Sequence, residues 1–301
     1  MNNSISIASS AMLVELSISS WTARKLDKKV SAEVDNAKHT KVSTVNVNKN
    51  LMAGTGVLES ILKYASGART WHLSQTLPWS DNGSRLIPMS NFIAYKEQLN
   101  VLENNYMALI DKFIDSYPNL VIAAAFQLGD LFDRAEYPEV HTLRNRFKFS
   151  YNFFPVPTAG DFRIDINEEA KAEIIANCDS AYQERLNNAM RDAWARLHDC
   201  LTRMSDRLQY DEVMVVSDDP LTRRETVLKP RIFRDSLMEN ATELIAMLKH
   251  LNITQDPKLE LARAELEASI KGYDVSDLRE SFTAREAVKQ KVDLILAKFN
   301  F

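Results

Sequence analysis

The sequence predicts a mainly α protein, an elongated helical bundle with one long coiled-coil-like helix and a small β-hairpin element. Three observations lead there. Only 7 glycines and 9 prolines occur in 301 residues, fewer than the average usage of about 7% and 5% would give. Apolar residues recur at three- and four-residue spacing through most of the chain, the mark of a helix with one buried face. And Leu186, Met190, Ala193, Leu197, Cys200, Met204 and Leu208 step by 4, 3, 4, 3, 4 and 4, close to a heptad seam.

At 301 residues the chain lies at the upper edge of what one core serves, and 45% hydrophobic with 26% charged residues is the balance of a soluble globular protein. Three consecutive segments are expected: a basic N-terminal arm over 1–50, a main helical domain over 51–230, and a C-terminal helical segment over 231–301 that packs on it. The net charge of −4 is mild, but its distribution is uneven. Arg24, Lys25, Lys28, Lys29, Lys38, Lys41 and Lys49 stand against Asp27, Glu33 and Asp35, so a local excess of four positive charges rides on an acidic body. Cys178 and Cys200 lie 22 residues apart in one predicted helix. That is roughly 33 Å, far beyond disulfide reach. Free thiols, no apolar run of membrane-spanning length and no secretory leader pattern at the start make a cytoplasmic protein the expectation.

Along the chain, Leu13 to Ile18 alternates as a short strand. Helical patterning runs from Leu51 to about Ser74, is interrupted over Ser66 to Pro88, and resumes from Ser90 to about Ser116. Tyr117-Pro118 is expected to end that helix, with a second and more apolar helix over Asn119 to Phe132. Next, Arg144, Arg146 and Lys148 alternate with Phe147, Phe149, Tyr151 and Phe153, as in a strand with one basic and one aromatic face; Phe162 to Ile166 could pair with it as a hairpin. Asn167 with Glu168 and Glu169 opens the long helix to about Tyr210. Its seam is paired within the chain or makes a homo-oligomer, the intrachain pairing being preferred. VMVV suggests another short strand, and three helices close the chain: about Phe233 to Leu251, Pro257 to Lys271 behind an Asp256 cap, and Thr283 to Phe299 behind a TARE capping box.

Chemistry is sought and mostly not found. Gly54-Thr-Gly56 is no phosphate loop, the five histidines share no zinc spacing, and no nucleophile elbow is present, so no cofactor and no metal are expected. Asp161, Asp165, His72 and Arg85 are the least unfavourable catalytic candidates, the two aspartates reading more readily as a charged strand face. A nucleic-acid surface would use Arg24, Lys25, Lys28, Lys29, Arg144, Arg146 and Lys148, single strands in particular if aromatic rings stand beside them. The Ser66 to Pro88 stretch reads as a proline-stiffened corner between helices in preference to a ligand loop. Trp71 and Trp79, with Arg69 and Arg85 able to stack over them, are its candidate partner-contact residues.

MLVELSISSWTARKLDKKVSAEV, NKNLMAG, TLPWSDNGSRLIP and PVPTAGDFRID before an acid-capped helix together resemble a family of phage and proteobacterial proteins known as a domain of unknown function. The resemblance runs from about Leu13 to the end of the long helix. It implies gene neighbours of the MoxR-type AAA+ ATPase and von Willebrand A or cobaltochelatase-like classes, hence a phage-encoded, non-enzymatic adaptor working with such an ATPase. It offers no catalytic residues. The alternative is a single-stranded nucleic-acid binder using the basic arm and basic strand.

Overall fold

The computed structural model describes residues 7–81, 83–157, 168–215 and 225–299. The fold is mainly α. In chain order its elements are α1 (Ile7–Ser10), β1 (Ala11–Ser19), β2 (Arg24–Leu26), α2 (Lys28–Ala37), β3 (Asn48–Asn50), α3 (Val57–Gln75), β4 (Leu77–Pro78), β5 (Arg85–Pro88) and α4 (Phe92–Leu128). There follow α5 (Val140–Leu143), β6 (Lys148–Pro155), α6 (Glu168–Arg207), β7 (Tyr210–Val215), β8 (Glu225–Pro230), α7 (Ser236–Leu251), α8 (Pro257–Ile270), α9 (Val275–Glu280) and α10 (Phe282–Lys298).

The chain does not divide into the consecutive segments 1–50, 51–230 and 231–301. It forms two compact units, one from Met1–Val14, Gln75–Phe92 and Phe153–Phe301, the other from Glu15–Ser74 and Ile93–Asn152. The reason is long-range strand pairing, which periodicity does not display. β1 pairs antiparallel with β5, Ala11 opposite Pro88 and Val14 opposite Arg85, and β5 pairs with β4. The sheet order is β4-β5-β1-β6.

In unit 1 the seam of α6 is closed within the chain, against α7 and α10. Leu186, Ala189, Ala193, Leu197, Leu201, Met204 and Leu208 are buried, while Met190 and Cys200 flank the stripe half-buried. The true stripe keeps mostly four-residue steps and so drifts from a strict heptad, as a helix of 3.6 residues per turn does on a globular core. Burial pushes the Cys200 thiol up to about 11, and both cysteines are free. Asp256 caps α8 as expected, accepting from the Lys258 N–H with Pro257 at the first position. The capping box expected at Thr283 is instead at Asp274 and Asp277 of α9; Ser281 caps α10, accepting from the Ala284 N–H.

The end of α6 is held by a buried cation. Arg285, on α10, is 2% exposed. Its guanidinium donates to the carbonyls of Arg207, Leu208, Gln209 and Arg231 and lies 5.0 and 5.3 Å over the rings of Tyr210 and Phe233. The last carbonyls of a helix lack intrahelical donors and carry partial negative charge, so a cation there satisfies both needs.

The Ser66 to Pro88 stretch is not a corner between two helices. α3 continues through Gln75, and a short hairpin follows, Leu77 opposite Leu86 and Pro78 opposite Arg85. Leu77, Leu86 and Ile87 are fully buried, which is what draws the segment into the sheet. Between the two strands Gly83 has a φ of +94°, a conformation that suits glycine.

In unit 2 the helix expected to stop at Tyr117 runs on through Pro118 to Leu128. A mid-helix proline costs one hydrogen bond and a steric clash. Burial of Phe113, Tyr117, Val121 and Ala124 on one face, and a bond from the Tyr117 hydroxyl to the Pro138 carbonyl (3.0 Å), oppose that cost. The aromatic residues form the centre of this unit. Phe113 meets Trp21, Tyr117 and Phe147, and Tyr106 meets Phe149 while its hydroxyl donates to the Ser19 carbonyl.

Candidate polyanion interface

The basic run of the segment expected as an N-terminal arm is a folded module of unit 2. β2 and β3 pair antiparallel, Arg24 opposite Asn50 and Leu26 opposite Asn48, and α2 rises between them. Asp27 starts α2 because its carboxylate accepts from the Lys29 and Val30 N–H groups at 3.1 Å. Ser31 then ties the helix to the returning chain: its hydroxyl donates to the Asp27 carbonyl at 2.6 Å and accepts from the Val47 N–H at 2.9 Å. Asp35, 9% exposed, organises the loop after α2 by accepting from the Thr40 hydroxyl, the Thr44 hydroxyl and the Thr44 N–H.

These bonds leave both aspartates below the usual carboxylate range. For Asp27 the Val30 N–H is the leading cause, with Lys49 adding to it against desolvation. For Asp35 burial pulls upward, and the bonds from Thr40, Thr44 and Ser43 outweigh it. Lys49 is consumed as well. Its ammonium meets Glu136 at 2.7 Å, Asp27 at 3.5 Å and the Leu131 carbonyl at 2.9 Å, and the Glu136 bond holds it above its ordinary value.

What remains facing water is one-sided. Arg24, Lys25, Lys28, Lys29, Lys38 and Lys41 are exposed, and among the described residues none of the six has an ion-pair partner. Of the module's three acids only Glu33 is exposed. Lys28 and Lys41 line a cleft of 460 Å³ together with Asp35, Asn36, Ser43 and Asn46. Lys38 and Lys41 complete the set although the sequence reading did not assign them to contact; their place in the same basic run was the available signal.

The basic strand lies in the same unit but starts later than expected. Arg144 and Arg146 sit in a 3₁₀ turn and β6 begins at Lys148. The two-faced pattern holds: Phe147 and Phe149 are buried, and Arg144, Arg146 and Lys148 are exposed. Arg144 is paired with Asp111 at 2.5 Å, whereas Arg146 and Lys148 have no ion-pair partner among the described residues.

The four residues expected at a partner contact separate. Trp71 and Arg69 belong to α3 of unit 2. Trp71 stacks on Tyr95 with centroids 5.0 Å apart, and Arg69 donates to the Ile18 carbonyl at 2.5 Å. Trp79 and Arg85 belong to unit 1. Trp79 is 5% exposed and meets Tyr182 edge-on, and Arg85 donates to the hydroxyl and carbonyl of Thr76. All four make internal structural contacts. Of the catalytic candidates, His72 is buried in unit 2 with Nδ1 at 2.6 Å from the Tyr95 hydroxyl, Arg85 is in unit 1, and Asp161, Asp165 and the Phe162 to Ile166 strand lie outside the described residues. Among the described residues no group of three His, Cys, Asp or Glu side chains could hold a metal ion, and no helix is long and apolar enough to cross a membrane.

Compared with protein-family models, with curated proteins and with solved structures, the chain matches none.

Proposed function

We propose that this protein works by binding, and that unit 2 binds the phosphate backbone of nucleic acid through the β2-α2-β3 module. The observation that carries the reading is the asymmetric use of charge: Asp27 and Asp35 are spent inside the module, Lys49 is spent on Asp27 and Glu136, and six exposed cations with no ion-pair partner among the described residues remain around one exposed acid. Neutralising phosphates with such side chains releases condensed counterions, which is the main sequence-independent source of affinity for nucleic acid. Fluorescence anisotropy of a labelled 20-nucleotide duplex at low ionic strength tests it. The wild type binds, and the variant carrying Arg24→Ala, Lys25→Ala, Lys28→Ala and Lys29→Ala loses most of the affinity. A wild type with no binding at low salt overturns the reading.

A protein partner is the second reading, and a feature of unit 1 favours it. β7 and β8 form a two-stranded ribbon whose Val213, Met214, Val227 and Leu228 are 37%, 70%, 43% and 54% exposed, next to Ile232 at 85%. Two-stranded ribbons are marginal alone, and apolar side chains clustered in water mark contact surfaces. The resemblance names a MoxR-type AAA+ ATPase as that partner, with this chain as its adaptor. Co-purification with such an ATPase, lost on Met214→Ser with Leu228→Ser, supports the reading; retention in the double variant removes the ribbon from it.

A further inference from the structure

We infer that the module reads phosphate alone, so that its ligand class is duplex nucleic acid of any sequence rather than the single strand that basic residues interleaved with aromatics suggest. The inference rests on the reading of unit 2 as a nucleic-acid binder and narrows it. Single-strand binders combine cations with exposed aromatic faces on which bases stack, each stacked base contributing about 1–3 kcal/mol. Residues 24–50 contain no Phe, Tyr or Trp, and His39 is their one ring.

The neighbouring aromatics do not supply what the module lacks. On β6, Phe147 and Phe149 are 6% and 4% exposed and are committed to Phe113 and Tyr106. Tyr151 is half-buried with its hydroxyl donating to Asn100 at 2.6 Å. In α3, Trp71 gives a face to Tyr95. Trp21, two residues before β2's nearest buried neighbour Ala23, packs against Phe113 and Tyr117. These rings are thus occupied in the core of the unit; Phe126, 86% exposed on α4, is a ring of the same unit that faces water, but it lies outside residues 24–50.

Base-edge readout is equally unprovided. Five of the six exposed cations are lysines, point charges on flexible stems, and only Arg24 carries the planar guanidinium fork that fits a guanine edge best. The natural partner of the lysines is the densest array of phosphates. A duplex carries one charge per about 1.7 Å of axis and returns a steeper counterion term than a single strand, about 0.9 against about 0.7 per contact. With six contacts the slope of log K against log salt is about −5 for the duplex and about −4 for the single strand.

The test compares three labelled ligands on the full chain: a 20-base-pair duplex of mixed sequence, a second duplex of different base composition, and single-stranded oligo(dT) of the same nucleotide number. The expected result is equal affinity for the two duplexes within about threefold, and weaker binding with a shallower salt slope for oligo(dT). Oligo(dT) binding more than tenfold tighter than duplex, or a tenfold preference between the duplexes, overturns the inference while leaving nucleic-acid binding in place. No binding of any of the three at low salt overturns both.

Discussion

The C-terminal half of α6 and the β2-α2-β3 module are built on opposite principles. The first is held by area: Leu197, Leu201, Met204 and Leu208 are fully buried in one continuous cluster. The second has little to bury. It is stapled by directed bonds from Asp27, Ser31, Asp35 and Lys49, and leaves Leu26 and Val42 39% and 69% exposed. The difference teaches what each region is free to do. A region held by area must keep its face dry, whereas one held by a few buried polar groups can offer nearly all of its remaining side chains to a ligand.

If the contrast is right, the largest effect falls on the apolar region. Leu201→Ala leaves a cavity against α7 and α10 and lowers the stability of unit 1 by about 3 kcal/mol in urea unfolding. Arg285→Met comes next. It strips the donors from three carbonyls at the end of α6 and from that of Arg231, a loss of about 2 kcal/mol or more, and duplex binding by unit 2 is unchanged.

Smaller and local is Asp35→Ala. It removes the acceptor of Thr40 and Thr44, so hydrogen exchange rises over residues 38–47 while the main unfolding transition stays in place. A large drop in that transition would erase the contrast. The same staples carry a pH dependence. The carboxyls of Asp27 and Asp35 titrate below the ordinary value of 3.8 in the folded chain, so their contribution is present above that pH and is lost as the pH falls through the folded values. Exchange protection of the module therefore disappears in acid below about pH 4, and not between pH 5 and 8. Smallest is Val42→Trp, which adds a ring on the exposed loop of the cleft. It raises single-strand affinity by about 1 kcal/mol, roughly fivefold, with duplex affinity unaltered.

The contrast also explains what could be read in advance. The stripe Leu186 to Leu208, the alternation of Arg144 to Phe153 and the Asp256-Pro257 start are all periodic or adjacent in sequence: the cap survives as expected, the stripe survives with Ala189 and Leu201 in place of Met190 and Cys200, and the alternation of exposed cations with buried Phe147 and Phe149 survives although the strand begins only at Lys148. Tyr117-Pro118 misled because packing of Phe113, Tyr117 and Val121 overrides a local rule. TARE was recognisable as a helix start, but nothing local shows that its arginine, Arg285, reaches the far end of α6, 77 residues away at Leu208. The module hides for a related reason. Val47 meets Ser31 across 16 residues and Thr44 meets Asp35 across 9, spacings that no helical or strand period repeats. The basic run was visible in the sequence; which of its charges are spent internally was not.

That distinction between spent and free charge can be counted directly. The slope of log K against log salt for duplex binding registers the number of phosphates neutralised, about 0.9 per contact. For the wild type the account predicts about −5, and for the variant with Arg24, Lys25, Lys28 and Lys29 replaced by alanine a slope shallower by about 3 to 4. A wild-type slope near zero, or a slope that the four substitutions leave unchanged, would contradict it.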